Sequence, residues 1–317
     1  MDGLEDRAEA ALESVIEQLY TNCTVKIRHS SRDSVMLRIS DALKASRERT
    51  IVAKKLVFRS GISVIGLRWL QEALQAGRNN VEELEFHCLP DGETLYRAIR
   101  CCRQSGIMRL SLKHYNDTFR RTLLPEIIRS GLMSDQCHYE DDPLPETAVT
   151  LEYLEIANYP IGTDGAKILV TPILNNPTLK TLKLIDCDLR SDSATYIAEI
   201  IRGSQCLETL DLSYNRHYLS SQITRELTLR TLTQRGLKHN LNLLELRMEQ
   251  TRSVPMDRSK IDRQLDINRF RKDYLEKRRD PMAIHPSMWC HLLARVSVKP
   301  SALHLFLQDS VATLFSR

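Results

Sequence analysis

One feature constrains the chain most: an apolar triplet of the form Leu-x-x-Leu-x-Leu, with other apolar residues allowed at each place, that keeps returning. It occurs at Ala53-Leu56-Phe58, Val81-Leu84-Phe86, Ile107-Leu110-Leu112, Leu151-Leu154-Ile156, Leu179-Leu182-Leu184, Leu207-Leu210-Leu212 and Leu241-Leu244-Leu246. The successive starts lie 28, 26, 44, 28, 28 and 34 residues apart. A period held this closely means that one supersecondary unit is being repeated. A degenerate further unit starts near Val25-Lys26-Ile27. The supply of apolar residues agrees, since 46 Leu stand against only 6 Phe and 2 Trp.

The pattern predicts what each unit is. In Leu-x-Leu the alternate side chains point inward from a short strand. The stretch that follows is apolar at helical spacing, as in Val64-Leu67-Leu70-Leu74, Leu95-Ile99-Cys102 and Ala194-Ile197-Ala198-Ile201. A strand, a helix and the next strand make a parallel sheet. No unit can cover its own apolar face, so the units must stack. The expectation is an α/β solenoid with parallel strands on the concave side and helices on the convex side. Asn215 and Cys187 fall at the ninth place of their units, where a buried polar side chain satisfies the turn leaving the sheet. Such a hydrogen bond contributes about 1 kcal/mol, and Cys187 is read as structural.

Residues 179–189 and 207–215, at their 28-residue period, resemble the ribonuclease-inhibitor-like subfamily of leucine-rich repeats. The resemblance covers roughly residues 23–250 and implies a horseshoe that recognises proteins on its concave face or rims. Solenoids need capped ends. Leu4, Ala8, Ala11, Leu12, Val15, Ile16 and Leu19 share one helical face, so residues 1–22 are read as an N-terminal cap helix. Residues 251–317 are read as a C-terminal cap, with Leu265-Asp266-Ile267 as a last strand and helices from Pro286 and about Ser301. Leu265 to Arg269, followed by Pro286-Ser287-Met288-Trp289, is similar to the cap of uncharacterised algal members of this subfamily. Those carry Asn-Arg-x-Gly-Arg, whereas Phe270-Arg271-Lys272 follows Asn268-Arg269 here. The 44-residue interval implies an insertion near residues 132–147, whose Glu140-Asp141-Asp142-Pro143 reads as an exposed acidic loop.

Chemistry-bearing motifs are missing. There is no His-Glu-x-x-His, Gly-x-Ser-x-Gly, phosphate loop or Cys-x-x-Cys. The pairs His87-Cys88, Cys137-His138 and Cys290-His291 are sequence neighbours that diverge on a strand or helix, so they chelate poorly. The expectation is a non-enzyme with no cofactor and no metal. A net charge of +4 is too small to argue nucleic-acid binding by itself. No secretory signal and no transmembrane run is visible, so the expected location is intracellular, the cytoplasm ahead of the nucleus, and the expected state is monomeric.

Candidate binding residues come from the strand places that face away from the core. Between the fourth and sixth places lie Val57, Glu85, Ser111, Glu155, Lys183, Asp211 and Glu245. Just after the sixth lie Arg59, His87, Lys113, Ala157, Ile185, Ser213 and Arg247. The first column is mostly acidic and the second partly basic. Tyr153 and Tyr214 project from the same face as possible anchors. This is either a solvated surface of weakly pairing charges or a binding strip. On the second reading, reversing charge at Glu155, Asp211 and Glu245 abolishes partner capture without lowering stability. Two alternatives stand beside it. Ran-type GTPase-activating proteins share this repeat subfamily, and Arg216 is a loop arginine of the kind that approaches a nucleotide, although the basic C-terminus lacks their acidic tail. Residues 252–279 hold ten Lys/Arg against five Asp/Glu, which either contact nucleic acid weakly or form a solvated helix.

Overall fold

Each triplet forms a strand too short to be stable alone, and the structure is the stack that results. The computed structural model describes residues 2–45, 50–76, 80–89, 92–114, 151–215, 228, 230–248 and 259–277. In chain order the elements are α1 (Asp2–Thr21), β1 (Thr24–Ile27), α2 (Asp33–Lys44), β2 (Lys55–Phe58), α3 (Val64–Gln75), β3 (Glu83–His87), α4 (Gly92–Gln104), β4 (Arg109–Lys113), β5 (Tyr153–Ala157), α5 (Gly162–Leu174), β6 (Thr181–Ile185), α6 (Ser193–Gly203), β7 (Thr209–Asp211), a π turn (Leu232–Gly236), a 3-10 turn (Leu237–His239), β8 (Glu245–Arg247) and α7 (Ser259–Lys277). The eight strands form one parallel sheet in sequential order. The architecture is therefore α/β, with strand–helix units added one after another.

The triplet residues are the core. Leu56, Phe58, Leu84, Phe86, Leu110, Leu112, Leu182 and Leu184 are each fully buried. They point to the side of the sheet on which α2 packs on α3, α3 on α4, and α5 on α6. Phe58 and Phe86 occupy the same place in adjacent strands and stack with ring centroids 5.0 Å apart. At the N-terminal edge, α1 buries Leu12 and Leu19 and lays Val15 and Ile16 against the core. The end of α1 is tied down as well, because the Leu19 carbonyl accepts from Val52 N and Ala53 N at 3.0 and 3.1 Å.

The turns after the strands explain which residues follow them. Four units place their eighth residue in the left-handed region: Cys88 (φ 53°), Asn158 (φ 60°), Asp186 (φ 51°) and Tyr214 (φ 63°). Asn and Asp adopt this conformation at little cost, while Cys and Tyr do so against their preference. The ninth residue then turns inward. Asn215 donates to the Leu184 and Leu212 carbonyls at 2.7 and 2.9 Å, and its Oδ1 accepts from Cys187 N at 2.9 Å and Leu189 N at 3.2 Å. One side chain thus ties its own turn to the turn before it. Cys187 is fully buried with its thiol on the Ile156 carbonyl at 3.3 Å, and burial holds that thiol protonated. The same place in the preceding unit is Tyr159, also fully buried and stacked on His114.

Two expectations are corrected. The last triplet is not Leu241-Leu244-Leu246. Leu246 pairs with Leu210, so the unit is Leu243-Leu246-Met248, all three buried, while Leu241 and Leu244 are partly exposed. The physical reason is the turn before the strand. Asn240 Oδ1 accepts from Leu243 N at 2.6 Å and Asn242 N at 2.8 Å, while its Nδ2 donates to the Ile201 and Ser204 carbonyls. Asn176 and Ser204 stand at the same distance before Leu179 and Leu207. Leu265-Asp266-Ile267 is not a strand either but the middle of α7. Ile261, Leu265 and Asn268 recur at helical spacing and are buried with Ile267. The insertion at 132–147, the helices from Pro286 and Ser301, Arg216 and the pairs Cys137-His138 and Cys290-His291 lie outside the described residues.

The register of β8 is directly checkable. Leu243→Ala should cost about 2–4 kcal/mol in chemical denaturation, as expected of a buried leucine, and Leu241→Ala under about 1 kcal/mol. Equal losses would restore the other register.

Candidate interaction surface

The helix-free face of the sheet carries three side-chain rows, set by the strand register. One row runs Lys55, Glu83, Arg109, Tyr153, Thr181, Thr209 and Glu245. The next runs Lys26, Val57, Glu85, Ser111, Glu155, Lys183, Asp211 and Arg247. The third includes His87, Lys113, Ala157 and Ile185. The corrected register of β8 moves two candidates. Glu245 stands beside Thr209 rather than Asp211, and Arg247 stands beside Asp211 rather than Ser213. Charge then alternates along the second row through Lys183, Asp211 and Arg247.

The middle of this face is not a solvated surface. Glu85, His87, Ser111, Glu155 and Asp211 are all buried. Adjacent parallel strands place neighbours within a row about 5 Å apart, and the side chains of β2 to β5 close over one another. Glu85 is the hub. It accepts from Lys55 Nζ at 2.7 Å, His87 Nε2 at 2.5 Å and Lys113 Nζ at 3.2 Å. Lys55 also reaches Glu83 at 2.7 Å, and Arg109 reaches the other oxygen of Glu83 at 3.0 Å. Lys113 spans to Glu155 at 3.5 Å. The remaining capacity of Glu155 is filled by Ser111 Oγ at 3.2 Å and by the Tyr153 hydroxyl.

Tyr153 is therefore not an exposed anchor. It is 8% exposed, with the Arg109 guanidinium 4.2 Å above its ring and Lys183 Nζ 5.2 Å from the ring centre. Burial first, then the Glu155 carboxylate, pushes its hydroxyl well above the ordinary tyrosine range. Glu85 moves the other way. The hydrogen bond from His87, opposed by burial and helped by Lys55 and Lys113, holds its carboxyl well below the usual carboxylate range. The two columns read from the sequence do not include the first row, Lys55, Glu83 and Arg109, and so do not reveal this network. Their alternating sign along the third place of each unit was the signal.

The two ends of the face differ from the middle. Toward β8, Arg247 is exposed and holds Glu245 at 2.7 Å, Lys183 is half-buried, and Tyr214 in the turn after β7 is 56% exposed. Toward β1, Arg59 is exposed beside Lys26 and Arg28. The structure thus splits the candidates into a self-paired centre (Glu85, His87, Lys113, Tyr153, Glu155), a C-terminal group (Lys183, Asp211, Tyr214, Glu245, Arg247) and Arg59 at the N-terminal end. Among the described residues no set of three His, Cys, Asp or Glu is placed to hold a metal ion, and His87 is turned to Glu85 rather than Cys88. Three cations of the basic segment are engaged within the fold. Lys272 pairs with Glu208, Arg269 with Asp266, and Arg271 donates to the Leu241 carbonyl.

The chain matches no protein-family model and no curated protein. Among solved structures it is similar to "Leiomodin-1 Actin-Binding Site 2 (ABS2)", at 14% identity over 84% of this chain and 94% of that one, with a TM-score of 0.24. A superposition of that quality carries no functional conclusion. Among the described residues no helix is long and apolar enough to cross a membrane.

Two outcomes follow from the network. Because the folded pKa of Glu85 is depressed below its ordinary 4.5, its contribution is present above that value and is lost as pH falls below it. The melting temperature of the protein should decline on acidification through that window, and Glu85→Gln should flatten the decline while lowering the plateau. Separately, Glu155→Lys should destabilise by about 3 kcal/mol in denaturant titration, since it strands buried partners. This corrects the expectation that charge reversal there is neutral. An unchanged midpoint would return Glu155 to the solvated surface.

Proposed function

We propose that the chain is a non-catalytic protein-binding module. On this reading the stacked units form a leucine-rich-repeat horseshoe of the ribonuclease-inhibitor-like kind. The helix-free face is its concave side, and a protein partner docks on the C-terminal part of that face. The observation that carries the reading is Tyr214. It is a large aromatic, 56% exposed, in the left-handed region at φ 63°, where the two preceding units use Asn158 and Asp186. A tyrosine there gives the fold less than an asparagine would. Strained residues that persist cluster at ligand-contacting sites, and exposed tyrosines bordered by charge are frequent binding anchors. On the next strand Arg247 stands beside Asp211, three residues before Tyr214, and pairs with Glu245 outside the central network.

The geometry also explains why binding would be selective. The centre of the face is buried and neutralised by its own ion pairs, so a partner meets exposed charge only at the ends. Complementary rim charges govern association rate and specificity more than affinity.

Tyr214→Asn separates stability from binding. Relief of the left-handed backbone should raise the unfolding midpoint slightly, by about 0.5–1 kcal/mol, while partners captured by the wild type from a native lysate are lost. A capture profile identical to that of the wild type would remove Tyr214 and this end of the face from the reading.

A further inference from the structure

The opposite end of the same face carries a separate feature. Arg28 follows Ile27 and Arg59 follows Phe58, and Ile27 and Phe58 are register partners. Arg59 N donates to the Ile27 carbonyl at 2.9 Å, which extends the pairing to the two arginines. Lys26 lies two residues earlier on β1. The three side chains are exposed and line one hollow of about 290 Å³.

Like charges on adjacent strands are destabilising, and elsewhere on this sheet they are answered. Lys55, Arg109, Lys113 and Arg247 each form an ion pair, and Lys183 lies over the Tyr153 ring. Lys26, Arg28 and Arg59 form no ion pair with any described residue. Their row neighbour on β2, Val57, is apolar and buried, so no carboxylate lies beside Lys26 across the strand.

We propose that Lys26, Arg28 and Arg59 form a docking subsite for an acidic protein segment, whose Asp or Glu carboxylates occupy the hollow. The inference rests on the protein-binding reading only for the source of the segment. Two arginines fit the chemistry, since each guanidinium presents a planar fork that takes a carboxylate through two parallel hydrogen bonds. The volume fits several carboxylates better than one small oxyanion. At roughly 30 Å³ of liquid volume per water, the hollow has room for about ten waters. A segment seated here and running along the face would reach the neutralised centre with its charge already matched.

The test uses labelled hexaglutamate in fluorescence anisotropy at low ionic strength, with the full chain. Saturable binding is expected, weakened by at least about tenfold in Arg28→Glu/Arg59→Glu and progressively by added salt. Arg202→Glu, which removes from the helix side the same charge as Arg59→Glu alone, should bind like the wild type, whereas Arg59→Glu alone should bind more weakly. Melting temperature gives an independent readout: Arg59→Gln should raise it in the absence of peptide, and hexaglutamate should raise that of the wild type alone. No binding, or equal weakening in Arg202→Glu, overturns the proposal. Stabilisation by inorganic phosphate but not by hexaglutamate also overturns it, in favour of a small-oxyanion site. None of these outcomes bears on capture through Tyr214, so the two readings fail separately.

Discussion

The inward leucines of each strand have no cover except the units on either side, and the rest of the structure depends on that. Leu182 and Leu184 are fully buried because β5 and β7 flank β6 in the sheet and because α5 and α6 close the other side. A unit removed from the stack would expose its whole apolar face, at roughly 25 cal/mol for each Å² returned to water. Stability in such an arrangement is a sum of nearest-neighbour interfaces. The ends are then the places where the sum must be terminated. At the N-terminal end α1 buries Leu19, whose carbonyl accepts from the backbone of the loop before β2. At the other, α7 places Ile261, Leu265 and Ile267 in buried positions and sends Asn268 Nδ2 to the Leu243 carbonyl at 2.7 Å.

Stacking also governs polar chemistry. A side chain on the helix-free face has neighbours on both adjacent strands within reach, so a charge placed there is judged against a whole row. Between β2 and β5 the first row alternates in sign and the carboxylates of the second lie among the cations of the first and third, and the outcome is a buried network around Glu85 and Glu155. Such pairs are costly to break yet add little net stability over apolar packing. Their value lies in register. A slip of one residue would carry Lys55, Glu83 and Arg109 into the core, so the network and the leucines select the same alignment. Where no carboxylate answers, at Lys26, Arg28 and Arg59, the face keeps exposed charge, and in the turn after β7 it keeps the exposed ring of Tyr214.

Much of this was legible in the residues themselves. The strand places, the parallel order and the inward role of Asn215 and Cys187 follow from a period of 28 and from which groups a turn must satisfy. Tyr159 stands at the same ninth place, but tyrosine there does not resemble the usual Asn. The last unit is ambiguous by two residues in the sequence because Leu241, Leu243, Leu244, Leu246 and Met248 offer two overlapping apolar triplets of equal quality. Composition cannot choose between them. Asn240 chooses, by bonding back to the Ile201 and Ser204 carbonyls. Leu265-Asp266-Ile267 was misread for a related reason, since three residues fit a period of two as well as part of a period of 3.6.

The sequence by itself determined the unit, its period, its apolar face and the direction in which the units add. These are local properties of hydrophobic spacing and turn chemistry, and they repeat. Only the tertiary structure decided which face residues are free to act. Exposure of a charge depends on what the next strand sets beside it, and that neighbour is 26 to 44 residues away in most pairings. Glu155 and Tyr153 look like surface residues in the chain and are buried partners in the fold. Lys26 and Arg28 look like the edge of a degenerate repeat and become, with Arg59, three exposed cations around one hollow, because burial and ion pairing are properties of neighbours and not of residues.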